Sequence, residues 1–506
     1  MKEEEEERRM GETLQGMLRW GAALGISDSS APMTTLTPPP HNLCIGQTLA
    51  VAYFPEAGGR GLASARDIIK GESILRVPKS ALLTTQHLLQ TDHSLSLAVH
   101  KHPYLSSSQL LCVCLLYEMG KRQDSLWHPY LSNLPRYYDT LATFNQFEMQ
   151  AFQVDDAIWA AERAKSCAES EWQQAQLLMQ ELKFKSVLLT FKAWLWASAT
   201  ISSRTLHAPW DEAGCLCPVG DLFNYSAPGV ELQDGENATS VRSMQSTSLC
   251  NSRTADEAGA EQSATSLQRL TDGGFEENLK AYCFYARKNY EKGEQVLLSY
   301  GTYTNLELLE YYGFLLNENP NDKVYIPLET SIYSSSSFPK ELMYIHQNGK
   351  PSFALLCTLR LWATPPNERR SIGHLAYAGA QLSAKNEMSV MGLILEKSNA
   401  ILRKLPTSIE EDNHILCGID KIHDFHTLME VHKLLSELGG DSCAFLESTG
   451  LRESLANNQF LPCKIRRSWY RWKLAVQWRV RYKKTLLDCI SYCTRTIYFL
   501  QSKGTN

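Results

Sequence analysis

The segment SYGTYTNLELLEYYGF, Ser299–Phe314, sets four tyrosines (Tyr300, Tyr303, Tyr311 and Tyr312) around two glycines. A strand-like run, QVLLSY, stops at Gly301, and a helix-like run then ends in Tyr-Tyr-Gly-Phe. A packed strand-turn-helix accounts for this pattern; so does a narrow channel walled by phenols. A phenol, with a pKa of about 10, is neutral at physiological pH and both donates and accepts hydrogen bonds. Aromatic walls exclude water, and desolvation lowers the pKa of an entering lysine, which frees a neutral amine as nucleophile. Carbonyl and phenol oxygens also accept weak C–H hydrogen bonds from an electron-poor methyl group. That chemistry favours methyl transfer from a sulfonium to an amine.

Two other segments carry groups that a ligand would use. GGRGL, Gly58–Leu62, lies between strand candidates, and its glycines let a backbone approach a ligand closely. A tight hairpin turn explains it equally well, and no GxGxxG pattern opens a helix there. DLFNYS gathers Asp221, Asn224 and Tyr225. Asn and Asp are turn and cap residues by default. Their company is what adds weight: Arg204 ends the preceding helical run, and the tyrosine-rich segment follows.

The elements that position these residues follow from periodicity. LAVAYF, GLASARD and SILRVP alternate as short strands from Leu49, and AYCFYARK and QVLLSY do so after Lys280. Ser106–Ser108 is an N-cap cluster before the helix LLCVCLLYEMG. A long helical region spans about Phe147 to Leu206, with Leu188, Phe191 and Leu195 on one face. Residues 234–274 are Ser/Thr/Gly- and acid-rich and hold no aromatic residue, the composition of a disordered insertion. Beyond Pro320, ELMYIHQ, FALLCTLRLW, MSVMGLILEKSNAILRKL and FHTLMEVHKLLSEL carry helical periodicity. The basic-aromatic tail from Arg466 reads either as a final helix packing its apolar stripe or as a binder of acidic partners.

Composition bounds the rest. The 506 residues are 43% hydrophobic and 10% aromatic, enough for a large core, and a net charge of −5 disfavours a general nucleic-acid binder. No apolar run spans a bilayer. The acidic start MKEEEEERRM disfavours secretory and organellar addresses, so cytoplasm or nucleus is expected over chloroplast. Fourteen cysteines form no CxxC pair, which favours reduced thiols and no zinc or other metal.

The order of the pieces (strands, GRGL, a long interrupting region, SSR, DLFNYS, then SYGTYTN and YYGF) resembles that of SET-domain methyltransferases. SLWHPYLSNLP is similar to the WxPYxxxLP segment of the branch containing Rubisco large-subunit lysine methyltransferase, and the helical C-terminal part is similar to that branch's substrate-binding domain. The resemblance covers about residues 15 to 500, apart from the insertion. It implies an α+β protein: a SET-domain β-fold with a pseudoknot and helical insert, followed by an all-α C-terminal domain. An acidic leader and short helix would occupy residues 1–40. The SET domain would occupy 41–320, with its helical insert at about 80–205, and the helical domain 321–506.

What the resemblance implies about function is an S-adenosylmethionine-dependent protein-lysine N-methyltransferase. The same fold acting on histidine, and a catalytically weak binding module, are the alternatives. Gly59, Arg60 and Gly61 would line the cofactor site, Asn224 and Tyr225 would hold the cofactor largely through backbone groups, and Phe314 would pack near its adenine. Arg204 would lie beside cofactor and substrate. Asp221 would face the substrate channel, Tyr312 would help wall it, and Tyr300 would stand next to the transferred methyl. The family pattern has Asn-His where this chain has Asn224-Tyr225. The expected partner is a lysine-bearing protein substrate of a monomeric enzyme, with no nucleic acid and no membrane.

Overall fold

Alternation of small and apolar residues builds the first hairpin: β1 (Leu49–Phe54) and β2 (Gly59–Ser64) pair antiparallel, with Leu49 opposite Ser64 and Phe54 opposite Gly59. Leu49 and Leu62 point into the core and are fully buried. The protein is seen here as a computed structural model, which describes residues 2–29, 43–55, 59–227, 273–334, 336–421, 433, 441–449 and 463–503. β9 (Gln295–Leu298) adds antiparallel to β2, and β6 (Asn224–Tyr225) adds parallel to β9, giving the order β1-β2-β9-β6. A second sheet has the order β3-β8-β7, from Ser73–Pro78, Ala281–Tyr285 and Gly273–Glu276. β4 (Thr205–Ala208) and β5 (Asp211–Leu216) form a separate hairpin. Every strand expected from alternation is present, within an α+β fold.

Helices surround these sheets. Ser106 caps the helix Ser107–Lys121 through a reciprocal bond with Gln109, as the N-cap cluster predicts. The region expected as one long helical stretch is interrupted: Gln146–Gln150, Asp155–Glu181 and Phe191–Arg204 are separate helices. Gln153 and Lys183 hold positive φ values of 60° and 54°, which ends a right-handed helix locally. In the last of the three, Trp194, Ala197 and Ile201 are buried, while Leu188, in the 3₁₀ turn before it, and Phe191 pack half-buried against the same core.

Further differences fall at the ends and in the insertion. The acidic leader is part of a helix, Lys2–Ala23, continuous with the short helix expected after it. Regular structure resumes at Gly273, two residues inside the span read as insertion; residues 234–272 lie outside the described residues. Nearly all of FHTLMEVHKLLSEL also lies outside them. ELMYIHQ is not helical. It makes a 3₁₀ turn and then β11 (Ile345–His346), which pairs with β10 (Lys323–Val324), so the C-terminal half carries a small hairpin among its helices.

The tail forms the helix Cys463–Lys503, whose Trp472, Ala475 and Val476 are buried, so its apolar stripe packs on the fold. Packing does not follow the linear division of the chain. Leu141, Phe144, Phe152 and Ala157 of the insert share one core with Ile415, Phe445, Trp472 and Val476. Ion pairs between Arg471 and Glu148 at 2.7 Å, and between Arg467 and Asp139 at 2.6 Å, fasten the same junction. Cys167 and Cys417 are exposed free thiols, and Cys44, Cys112, Cys114, Cys215, Cys217, Cys283, Cys357, Cys489 and Cys493 are buried ones.

Candidate active site

Strand pairing brings three distant segments to one place. β9 lies between β2 and β6, with Leu62 opposite Val296 and Asn224 opposite Leu297. Ser226 continues the parallel pairing by donating its backbone N–H to Leu298 at 3.0 Å. Two phenols then cross-link the segments in opposite directions. The Tyr300 hydroxyl donates to the Phe223 carbonyl, and the Tyr225 hydroxyl donates to the Gly301 carbonyl at 2.8 Å. Gly301 sits at φ +134°, a conformation that only glycine adopts easily.

A cavity of about 400 Å³ opens at this junction, with Phe223, Tyr282, Tyr300, Tyr303 and Tyr312 among its walls and Arg204, Asp221 and Glu212 among its polar lining. The rings form a continuous aromatic group. Tyr300 lies 5.3 Å from Tyr225 and 5.2 Å from Tyr312, and Tyr303 lies 5.5 Å from Tyr312. A reciprocal cap between Thr304 and Glu307 starts the helix Asn305–Tyr311, which carries the chain from Tyr303 round to Tyr312. Burial pushes the Tyr300 phenol well above its ordinary pKa, Arg204 opposes this and Asp221 adds to it. Burial likewise pushes Tyr312 well up and Tyr225 to about 12, so all three stay neutral at working pH.

The polar side of the cavity is pre-arranged. Arg204 donates to the Asp221 carboxylate at 2.9 Å, to the Asp221 carbonyl at 3.1 Å and to the Tyr138 hydroxyl at 3.2 Å. Tyr130 donates to the same carboxylate at 2.8 Å. Burial alone would lower the Arg204 pKa, but Asp221 and the two phenols raise it above its ordinary value. Just upstream, buried Val219 holds φ 68° and ψ −43°, a strained turn for a β-branched residue that aims Gly220 and Asp221 inward.

The sequence-predicted residues divide into two groups. Arg204, Asp221, Tyr300 and Tyr312 line the cavity together. The Asp221 carboxylate, expected to face substrate, is 2% exposed and committed to Arg204 and Tyr130. Gly61 and Asn224 meet on the other side: a methyl group at residue 61 would lie 2.4 Å from Asn224 Nδ2. Arg60 leaves the opposite face of its strand, donates to the Asn133 carbonyl at 2.8 Å and lies within electrostatic reach of Arg204 and Asp221. Neighbouring Gly59 adopts φ +138°. Tyr225 and Phe314 pack 6.0 Å apart in the aromatic group.

Tyr130, Tyr138 and Tyr303 were not singled out as site residues. Tyr303 belonged to the tyrosine-rich segment, and Tyr130 stands inside HPYLSNLP, so the signal was present in both motifs. The residues also fit a cofactor. Asn224 Nδ2 is buried with no hydrogen-bond partner, a state that costs about 1–3 kcal/mol unless an acceptor arrives. S-Adenosylmethionine carries carboxylate and ribose oxygens of that kind.

No family model matches the chain. Protein SET DOMAIN GROUP 40 of Arabidopsis thaliana is 51% identical over 487 residues, covering 95% of this chain and 96% of that protein. The actin-histidine N-methyltransferase of Xenopus tropicalis is 24% identical over 429 residues, covering 75% of this chain and 63% of that protein. The crystal structure of the SET domain of LSMT bound to lysine and AdoHcy matches with a TM-score of 0.57 at 16% identity, over 97% of this chain and 93% of that one, a likeness of fold. Identity to the Arabidopsis protein across nearly the whole of both chains, on the same arrangement of strands, shows that the chain belongs to the SET-domain family, with the methyltransferase fold of the Rubisco large-subunit branch.

Proposed function

We propose that this chain is an S-adenosylmethionine-dependent protein-lysine N-methyltransferase. The observation that carries this reading is the phenol-lined cavity at Tyr300, whose hydroxyl proton is already committed to the Phe223 carbonyl. The phenol oxygen is thereby left to accept, from an amine N–H or from methyl C–H groups. Raised well above its ordinary pKa, Tyr300 orients the amine rather than acting as a base. The aromatic walls disfavour a charged ammonium, and the Asp221 carboxylate is already paired with Arg204, so a lysine in the cavity reacts as the neutral amine. Bound S-adenosylmethionine supplies the electrophilic methyl group. Gly59, Gly61 and Asn224, the backbone of Arg60 and Tyr225, and the Phe314 ring would hold the cofactor, with Arg204 between it and the substrate. Positioning and desolvation then carry much of the acceleration.

Histidine methylation is the second reading, favoured by the actin-histidine N-methyltransferase relative. The test is transfer of labelled methyl groups to proteins of a cell extract, followed by mass spectrometry of the modified peptides. Methyl-lysine supports the proposal, and methyl-histidine replaces it with the second reading. Binding of S-adenosylhomocysteine without any labelled protein points to a binding module.

A further inference from the structure

Gln295 opens β9 and was assigned no role by its sequence context. In the sheet it stands two residues before Leu297, the residue opposite Asn224, so Gln295 and Asn224 project on the same face. Both amides converge on the side-chain-free spot above Gly61: a methyl group there would lie 2.4 Å from Asn224 Nδ2 and 3.1 Å from Gln295 Nε2. Each of these nitrogens is buried and has no hydrogen-bond partner. Native structures rarely leave one buried amide donor unpaired, and two at one spot call for a shared acceptor. Among the described residues, the other two groups at that spot offer none, since Gly61 brings no side chain and Phe54 is apolar.

Resting on the cofactor assignment above, we propose that Gln295 is a cofactor-binding residue. With Asn224, it donates to the carboxylate of the cofactor's amino-acid moiety. A carboxylate has two acceptor oxygens and no donor, which matches two converging N–H₂ groups, and bonds to an ionised acceptor are the stronger kind. The glycine at residue 61 lets both amides reach over the strand.

Calorimetry with two ligands tests this. S-Adenosylhomocysteine carries the carboxylate; 5′-methylthioadenosine lacks the whole amino-acid end. Gln295→Leu should weaken S-adenosylhomocysteine binding about 10- to 100-fold while leaving methylthioadenosine unchanged, the range expected for a charge-assisted bond. Gln295→Glu keeps the shape and sets like charges together, so it should weaken S-adenosylhomocysteine at least as much, again without touching methylthioadenosine. Circular dichroism and thermal melting of both variants show whether the fold is kept. Equal weakening of both ligands would make Gln295 a structural residue. An unchanged S-adenosylhomocysteine affinity would mean that the two amides satisfy each other after rotation of one of them. Either result overturns the Gln295 assignment alone, whereas failure of the unaltered chain to bind S-adenosylhomocysteine overturns it together with the cofactor assignment.

Discussion

Replacing Tyr300 with Phe separates the chemistry of the site from its architecture. The substitution removes one hydroxyl and leaves the ring, whose packing at 5.3 Å from Tyr225 and 5.2 Å from Tyr312 is retained. What is lost structurally is the bond to the Phe223 carbonyl, worth about 0.5–1.5 kcal/mol net. The parallel β6–β9 pairing and the Tyr225 bond to Gly301 still hold the two segments together. Gly61 and Asn224 do not line the cavity that holds the hydroxyl, so affinity for S-adenosylhomocysteine should be about unchanged. Turnover should fall on the order of 10²- to 10³-fold, the effect of removing one preorganised group at a reacting centre, or about 2.7–4 kcal/mol. Three readouts are needed: labelled-methyl turnover under saturating cofactor, calorimetry with S-adenosylhomocysteine, and the urea midpoint. A parallel loss of turnover and cofactor affinity, or turnover within a few-fold of the unaltered chain, would refute the placement of Tyr300 at the transferred methyl.

Asp221→Asn keeps the shape but strands the Arg204 guanidinium. A fully buried pair costs about 3–5 kcal/mol to break, and with Arg204 one-fifth exposed the expected loss is about 2–3 kcal/mol in urea unfolding; a change under about 0.5 kcal/mol would mean the pair is well solvated. Gly61→Ala forces the Asn224 amide and Phe54 aside, at 2.4 Å and 3.0 Å from the new methyl, and should weaken S-adenosylhomocysteine binding at least about tenfold; an unchanged affinity in calorimetry would remove Gly61 and Asn224 from the cofactor site. The site phenols set an alkaline limit. Tyr225, raised to about 12 by burial, binds its proton more tightly folded than unfolded, so its contribution is complete below pH of about 10 and is lost as pH rises through about 12. Ultraviolet titration of phenolate should show a class of tyrosines that ionises only with unfolding; free ionisation of every tyrosine near pH 10 would contradict their burial.

Much of this fold was legible because its signals were local. Alternation marked the strands, and Ser106 and Gln109 formed the cap that their spacing announces. The residues that line the cavity were also legible, but as motifs rather than as partners. No local signal shows that the Tyr300 hydroxyl reaches the Phe223 carbonyl or that Tyr130 braces Asp221, because parallel pairing of β6 and β9 creates the first contact and the short helix His128–Leu131 brings the second, each across a long stretch of chain. Arg60 shows another partner that local signals leave out. The resemblance set Arg60 beside the cofactor, and sequence alone does not show that its side chain, which alternation along β2 sends to the face opposite Gly61, also bonds the Asn133 carbonyl. ELMYIHQ was misread because a short apolar run with helical spacing is also compatible with a turn and a strand edge, and pairing with Lys323–Val324 decided the matter.

The tyrosine at residue 225, where the family pattern has histidine, follows from the same geometry. Its backbone belongs to β6 and is fixed by β9 whatever the side chain is. Its ring lies in the aromatic group rather than in the cavity lining, and its hydroxyl closes onto the Gly301 carbonyl. Gly301 follows Tyr300 directly, so that bond restrains the turn that aims the Tyr300 ring, while Tyr300 in turn restrains Phe223, two residues before Tyr225. The two hydroxyls therefore close a loop of mutual restraint between the segments that must meet for methyl transfer. A side chain at residue 225 is useful here for the reach of its donor and for the ring it packs against Tyr300 and Phe314. In this chain a phenol of the right length holds that turn.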